Sequence, residues 1–240
     1  MIWMYVGIVV AILGFAGVLV CAKLAKGNPN IQPVAIACAV FMLAGIGTYG
    51  YVYLNKAEFE AAEQAAKQLI FEKALMNKIG TELKGKKIFW FTGDGESENA
   101  KAKLEVLKAA SGAEVVVVAP KQSEDGMGGM INFKEEIAKV GADDVVLLDT
   151  DTMGFEEDLK KAMADPKGCK FAIGASGSGV INILGEKDAQ KLFGNKIIFV
   201  VSSVANADQE YEPSEDNLDE AFSKRYELVK EYDKTKLGVM

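Results

Sequence analysis

Two uninterrupted apolar stretches open the chain. Residues 2 to 22, IWMYVGIVVAILGFAGVLVCA, and residues 34 to 54, VAIACAVFMLAGIGTYGYVYL, carry no charged side chain. Each gives roughly 31 Å of helix at about 1.5 Å per residue, enough to cross the apolar core of a bilayer. The first has no basic amino-terminal region and no small-x-small cleavage site, and Val20 precedes Cys21. It therefore reads as a span rather than a signal peptide. Together the two predict a transmembrane helical hairpin over residues 1–55. Lys23 and Lys26 lie in the short connection between the spans. The positive-inside tendency keeps that connection in the cytoplasm and puts both termini on the extracytoplasmic, periplasmic side. Trp3 and Tyr5 at one end of the first span, and Tyr49, Tyr51 and Tyr53 at the end of the second, mark one common interface. Gly7, Ala11 and Gly14 share a face of the first span, and Ala35 and Ala39 share one in the second. Such faces let helices approach closely, within the hairpin or against a neighbouring subunit.

The pattern then changes twice. Residues 56 to 80, KAEFEAAEQAAKQLIFEKALMNKIG, have high helix propensity and no proline. They predict a helical stalk or linker over 56–85, or a helix lying on the following domain. From residue 86, short apolar runs alternate with helical segments. KIFWFT (87–92), AEVVVVA (113–119), DVVLLDT (144–150), KFAIG (170–174) and KIIFVVSS (196–203) read as strands. They are continuously apolar, as strands covered on both faces are. Helices are expected near 97–111, 131–140, 154–164 and 186–193, and Leu218, Phe222, Tyr226 and Val229 space a closing helix. The expected fold is α/β: a hairpin, a stalk, and a doubly wound, mostly parallel, five-stranded Rossmann-like sheet in a soluble domain over 86–240.

Charge and composition narrow the chemistry. The net charge is −7, and Lys23 and Lys26 are the only charged side chains before residue 56. An acidic domain without a basic patch excludes nucleic acid as a partner. The chain contains no histidine. That removes Ser-His-Asp and Cys-His catalysis, histidine-ligated zinc and CxxCH haem attachment. Of Cys21, Cys38 and Cys169, only the last lies outside the apolar spans. No cofactor motif is complete, and none is expected.

The run FKEEIAKVGADDVVLLDTDTMGFEEDLKKAMADPKGCKFAIGAS, preceded by KIFWFTGDGESENAKAKLEVLKAASGAEVVVVAP, resembles the amino-terminal lobe of type I periplasmic solute-binding proteins. The resemblance covers residues 86–204 and is one of pattern. That family closes two lobes on its ligand, and only one lobe fits here. What it implies is a tethered solute-binding module that needs a second copy or a partner.

Three loops follow strand ends, where open parallel sheets bind ligands. GDGESEN (93–99) offers Gly93 and Gly95 but Glu98 in place of the third glycine of a dinucleotide fingerprint, and it lacks the Gly-Lys-Ser/Thr of a phosphate loop. It reads as a turn capped by Asp94 or Ser97, or as a cation or sugar-hydroxyl site. LLDTDTM places Asp149 and Asp151 at a strand end. This D-x-D resembles the carboxylate pair of haloacid dehalogenase-like phosphatases, with GDGESEN similar to that family's acidic loop, although the order of the two is reversed. The resemblance implies a magnesium-dependent phosphohydrolase, with Asp94, Asp149 and Asp151 as metal candidates. GASGSG supplies Gly174, Ser176, Gly177, Ser178 and Gly179, with no acid and several backbone N–H groups able to converge on an anion. It is the candidate ligand loop.

The leading expectation is a non-enzymatic assembly subunit of a membrane complex, homo-oligomeric or partnered. The alternatives are a tethered solute-binding module and the phosphohydrolase.

Overall fold

A computed structural model of the chain describes residues 2–24, 31–120, 129–150, 154–177, 179–204, 207–208 and 210–237. It divides into two compact units, Met1–Ala66 and Lys67–Met240.

In the first unit, helices α1 (Ile2–Leu24) and α2 (Gln32–Leu54) run antiparallel. Pro33 lies in the first turn of α2, where its missing N–H costs no hydrogen bond. The helices touch backbone to backbone. A Cβ added at Gly14 would lie 2.5 Å from Met42 N, and one at Gly45 would lie 2.4 Å from Ala11 N. The small-residue face of α1 is thus filled by α2 of the same chain. The outward surface is apolar, with Ile12, Leu13, Phe15, Ile36, Phe41 and Leu43 all exposed. Both helices are long and apolar enough to cross a membrane.

Helix α3 (Lys56–Glu82) carries the boundary between the units. Phe71, Ala74, Leu75, Met76 and Ile79 are buried in the second unit's core. The segment expected as a stalk is in its second half a core helix, and the compact α/β unit begins at Lys67 rather than at residue 86. Phe71, Ala74, Leu75, Met76 and Ile79 recur at intervals of three and four residues, the spacing of a core-facing helix stripe.

The second unit holds strands β1 (Ile88–Thr92), β2 (Val115–Val118), β3 (Val145–Asp149), β4 (Lys170–Ile173), β5 (Ile197–Ser203) and β6 (Tyr226–Val229). Between them lie α4 (Glu98–Ser111), α5 (Phe133–Ile137), α6 (Glu156–Ala164), α7 (Val180–Leu184), α8 (Glu186–Leu192) and α9 (Leu218–Arg225). Strand order is β2-β1-β3-β4-β5-β6. The first five pair in parallel, and β6 runs antiparallel to β5. Residues alternate between two cores. Ile88, Trp90, Leu147, Ala172 and Phe199 face α3, α4 and α9. Phe89, Phe91, Val146, Leu148, Phe171 and Ile173 face α5 to α8. The sheet is therefore doubly wound.

It has six strands, not five. The closing segment was expected as one helix, but it stops at Arg225 and Tyr226–Val229 pairs with β5, Val200 opposite Val229. Leu218, Phe222, Tyr226 and Val229 satisfy helical spacing, which hid the change. The open edge of β5 offers unpaired backbone groups, and pairing them outweighs one further helical turn.

Candidate functional site

The strand order reverses between β1 and β3, so both of their carboxyl ends open on one edge, with Thr92 beside Asp149. Near this edge a cavity of about 240 Å³ opens in the α/β unit. Gln68, Glu72, Leu75 and Met76 of α3 form one wall, and Lys103 of α4 adds to it. Asp149, Ala175, Ser176 and Ser203 come from strand ends, and Arg225 and Tyr226 from the α9–β6 junction. The lining is mostly polar in a unit whose core is otherwise apolar.

Each charged group has a distinct setting. Lys103 Nζ lies 3.4 Å from Glu72 Oε2, and Gln68 Nε2 donates to Glu72 Oε1 at 3.1 Å. Lys103 also sits 5.7 Å from the centroid of the Trp90 ring. Asp149 is only 7% exposed. Its Oδ1 accepts from the Ser176 backbone N–H at 3.4 Å. Burial pushes its carboxyl above the ordinary carboxylate range, while the Lys103 charge and the Ser176 N–H pull the other way. The Trp90 indole also favours the carboxylate from the interior. Its Nε1 is buried and makes no formed hydrogen bond among the described residues. Tyr226 is buried as well, and its phenol is raised by desolvation.

Arg225 differs from the other cations. Its guanidinium lies 4.8 Å from the Phe71 ring centroid and 6.0 Å from that of Tyr226. Among the described residues its side chain enters no ion pair with a carboxylate.

The candidate residues fare differently. Ser176 and Asp149 come together in the cavity. Gly174 lies behind Asp149: an added Cβ there would sit 2.6 Å from Asp149 Oδ1. Gly177 packs on Leu148, whose carbonyl oxygen an added Cβ would approach to 2.6 Å. Gly179 is exposed and does not line the cavity. Ser178 and Asp151 lie outside the described residues. Three of the described N–H groups of GASGSG, expected to be free, are engaged. Gly174 N donates to Leu148 O, Gly177 N to Gly174 O, and Ser176 N to Asp149. Through Ser176 N the loop braces Asp149.

Asp94 stands apart from the cavity lining. Its Oδ1 accepts from Glu96 N at 3.0 Å and Ser97 N at 3.1 Å, and Ser97 Oγ caps α4 by accepting from Ala100 N. These bonds, led by those of Ser97, hold the Asp94 carboxyl below the ordinary range. GDGESEN is a capped turn. Among the described residues no group of three or more His, Cys, Asp or Glu side chains is placed to hold a metal ion.

Sequence reasoning missed Gln68, Glu72, Lys103, Ser203, Arg225 and Tyr226, because 158 positions of chain separate Gln68 from Tyr226. One signal was legible. Arg225 is the only arginine in the chain.

No family model and no curated protein matches the sequence. Solved structures of serine palmitoyltransferase superpose in part. A variant of that enzyme with PLP gives a TM-score of 0.34 at 17% identity, over 72% of this chain and 42% of that one. The enzyme from S. paucimobilis with a bound PLP–myriocin aldimine gives 0.33 at 16%, over 72% and 43%. This chain thus spans less than half the length of those structures. A likeness at this level carries no inference for the cavity.

Proposed function

We propose that this chain is a membrane-anchored binding module. Helices α1 and α2 hold it in a bilayer, and the α/β unit takes a small polar molecule in the cavity beside Asp149. The observation that carries this reading is the cavity itself: a polar pocket at the ligand-binding edge of a doubly wound sheet. Two outward apolar helices, uncharged over residues 2–22 and 34–54, support the anchor. The lysines between the spans favour a cytoplasmic connection and an α/β unit on the opposite side.

The reading as an assembly subunit drew on the small-residue spans, the possible stalk, the absence of histidine and the lack of a complete catalytic motif, and of these the small-residue face of α1 is accounted for within the chain. That face meets α2 through Gly7, Gly14 and Gly45, which leaves the binding reading with the stronger support. The phosphohydrolase reading needs acids gathered around a metal, whereas Asp94 is engaged by the backbone N–H groups of Glu96 and Ser97 in the turn before α4.

Native mass spectrometry of the detergent-solubilised full chain tests the proposal. The expected spectrum shows a discrete small-molecule adduct that Ser176→Trp, which fills the cavity, removes. A spectrum with additional protein chains and no such adduct would return the account to the assembly reading.

A further inference from the structure

We infer that the cavity takes a small monocarboxylate bearing a hydroxyl or keto group, its carboxylate held in a two-pronged bond by Arg225. This deepens the binding reading above and rests on it.

The first ground is the arginine. Every other basic side chain in this protein is lysine, and the single arginine lines the cavity. Its planar fork of N–H donors matches a carboxylate in a way that the compact ammonium of lysine does not. The guanidinium lies over the rings of Phe71 at 4.8 Å and Tyr226 at 6.0 Å, which limits its freedom and lowers the entropy lost on binding. Among the described residues no carboxylate pairs with it, so its donors stay available.

The second ground is the balance of charge. Lys103 and Glu72 neutralise one another at 3.4 Å. Asp149 is buried, and its burial disfavours a second negative charge in the cavity. Among the described residues Arg225 has no carboxylate within ion-pair distance, and one negative charge on the ligand would pair with it. A phosphate dianion would bring a second negative charge for which the lining holds no second unpaired cation. A neutral polyol would cover the arginine without pairing it, which costs the desolvation of a charge.

The third ground is size and the remaining polar groups. About 240 Å³ is roughly eight waters' worth of space at about 30 Å³ each. That suits a compact acid rather than a nucleotide or a lipid tail. Asp149, Ser203, Gln68 and the Tyr226 phenol supply partners for an oxygen on the carbon beside the carboxylate.

The test is isothermal titration of the full chain in detergent with lactate, pyruvate, glycolate, inorganic phosphate and glycerol. It compares wild type with Arg225→Lys, Arg225→Gln and Ser176→Trp. Lys224→Gln serves as a neighbouring control, because Lys224 lies over Tyr211 and pairs with Asp208. Circular dichroism confirms that each variant is folded at the temperature used.

The expected result is binding of at least one of the three monocarboxylates. Arg225→Lys weakens it at least about tenfold, Arg225→Gln abolishes it, and Lys224→Gln leaves it unchanged. Equal affinity in Arg225→Gln and wild type would overturn the role of Arg225. Tighter binding of phosphate than of any monocarboxylate would overturn the ligand class. Glycerol binding that Ser176→Trp removes, with no monocarboxylate bound, would overturn this inference and leave the binding module standing. Heat from none of the five probes would overturn the inference, and an adduct lost with Ser176→Trp in the native mass spectrum would still uphold the binding module.

Discussion

Replacing Gly174 by alanine probes the cavity from behind. The new Cβ would lie 2.6 Å from Asp149 Oδ1 and 3.1 Å from its Cβ and Cγ, where ordinary contact begins at 3.4 Å. The backbone cannot easily retreat, because Gly174 N donates to Leu148 O at 2.7 Å. Asp149 is 7% exposed, so its carboxyl can move away from the new methyl only into the cavity itself. Gly174 has no positive φ, so alanine adds crowding without backbone strain. Overpacking of this kind costs about 1–3 kcal/mol. For a unit of this size that lowers the midpoint by about 2–12 °C. The assay is thermal unfolding of the full chain in detergent, followed by tryptophan fluorescence in a Trp3→Phe background so that Trp90 alone reports. Combining Gly174→Ala with Asp149→Ala removes Oδ1 and Cγ and leaves only the Cβ contact at 3.1 Å, so the glycine change should then cost clearly less than in the wild-type background. An equal cost in both backgrounds would show that Gly174 does not brace Asp149, and the geometry argued for the cavity wall would fail.

Other consequences are equally open to measurement. Asp149 has a folded-state carboxyl value raised by burial, so the stability it allows is complete below the unfolded value of about 3.9 and is lost as pH rises through the folded value. Asp149→Asn is therefore expected to be more stable than wild type at pH 7, with the difference closing toward pH 4; denaturant titrations at several pH values check this, and a constant difference would contradict it. Cys169 is buried, and its thiol is pushed up to about 11. With Cys21 and Cys38 replaced by serine, it should react with a thiol reagent at pH 8 at least about a hundredfold more slowly than a free cysteine, and unfolding should abolish the difference. Gly45→Leu would push side-chain atoms into the backbone of α1 at Ala11. Spin labels at Trp3 and Tyr53 should move apart by about 1 Å, the gap between the present approach and ordinary atomic contact.

Much of the fold could be read directly along the chain. The apolar runs at 87–92, 113–119, 144–150, 170–174 and 196–203 become β1 to β5 because strands covered on both faces need no polar alternation. The capped turn at GDGESEN was also legible, since Asp94, Ser97 and the following acids have local roles. β6 was not, because spacing along one segment cannot reveal that a neighbouring strand has an open edge. Nor was the second half of α3, whose apolar positions fit a core face as well as a stalk. The candidate site was half visible. Asp149 and Ser176 stand at strand ends, where chemistry is sought by rule. Glu72, Lys103 and Arg225 reach the same cavity from three helices, and only the tertiary fold brings them together. The singular arginine was the one cue in the sequence, and it points to a side chain rather than to its neighbours.

The central claim is that the cavity beside Asp149 binds a small molecule. Its most direct test is the thermal midpoint of the full chain in detergent, measured against a set of small polar compounds, with Ser176→Trp measured in parallel. The account predicts that at least one compound raises the wild-type midpoint in a saturable way and leaves the Ser176→Trp midpoint unmoved. A set in which no compound stabilises the wild type, or in which the filled variant responds equally, would contradict it.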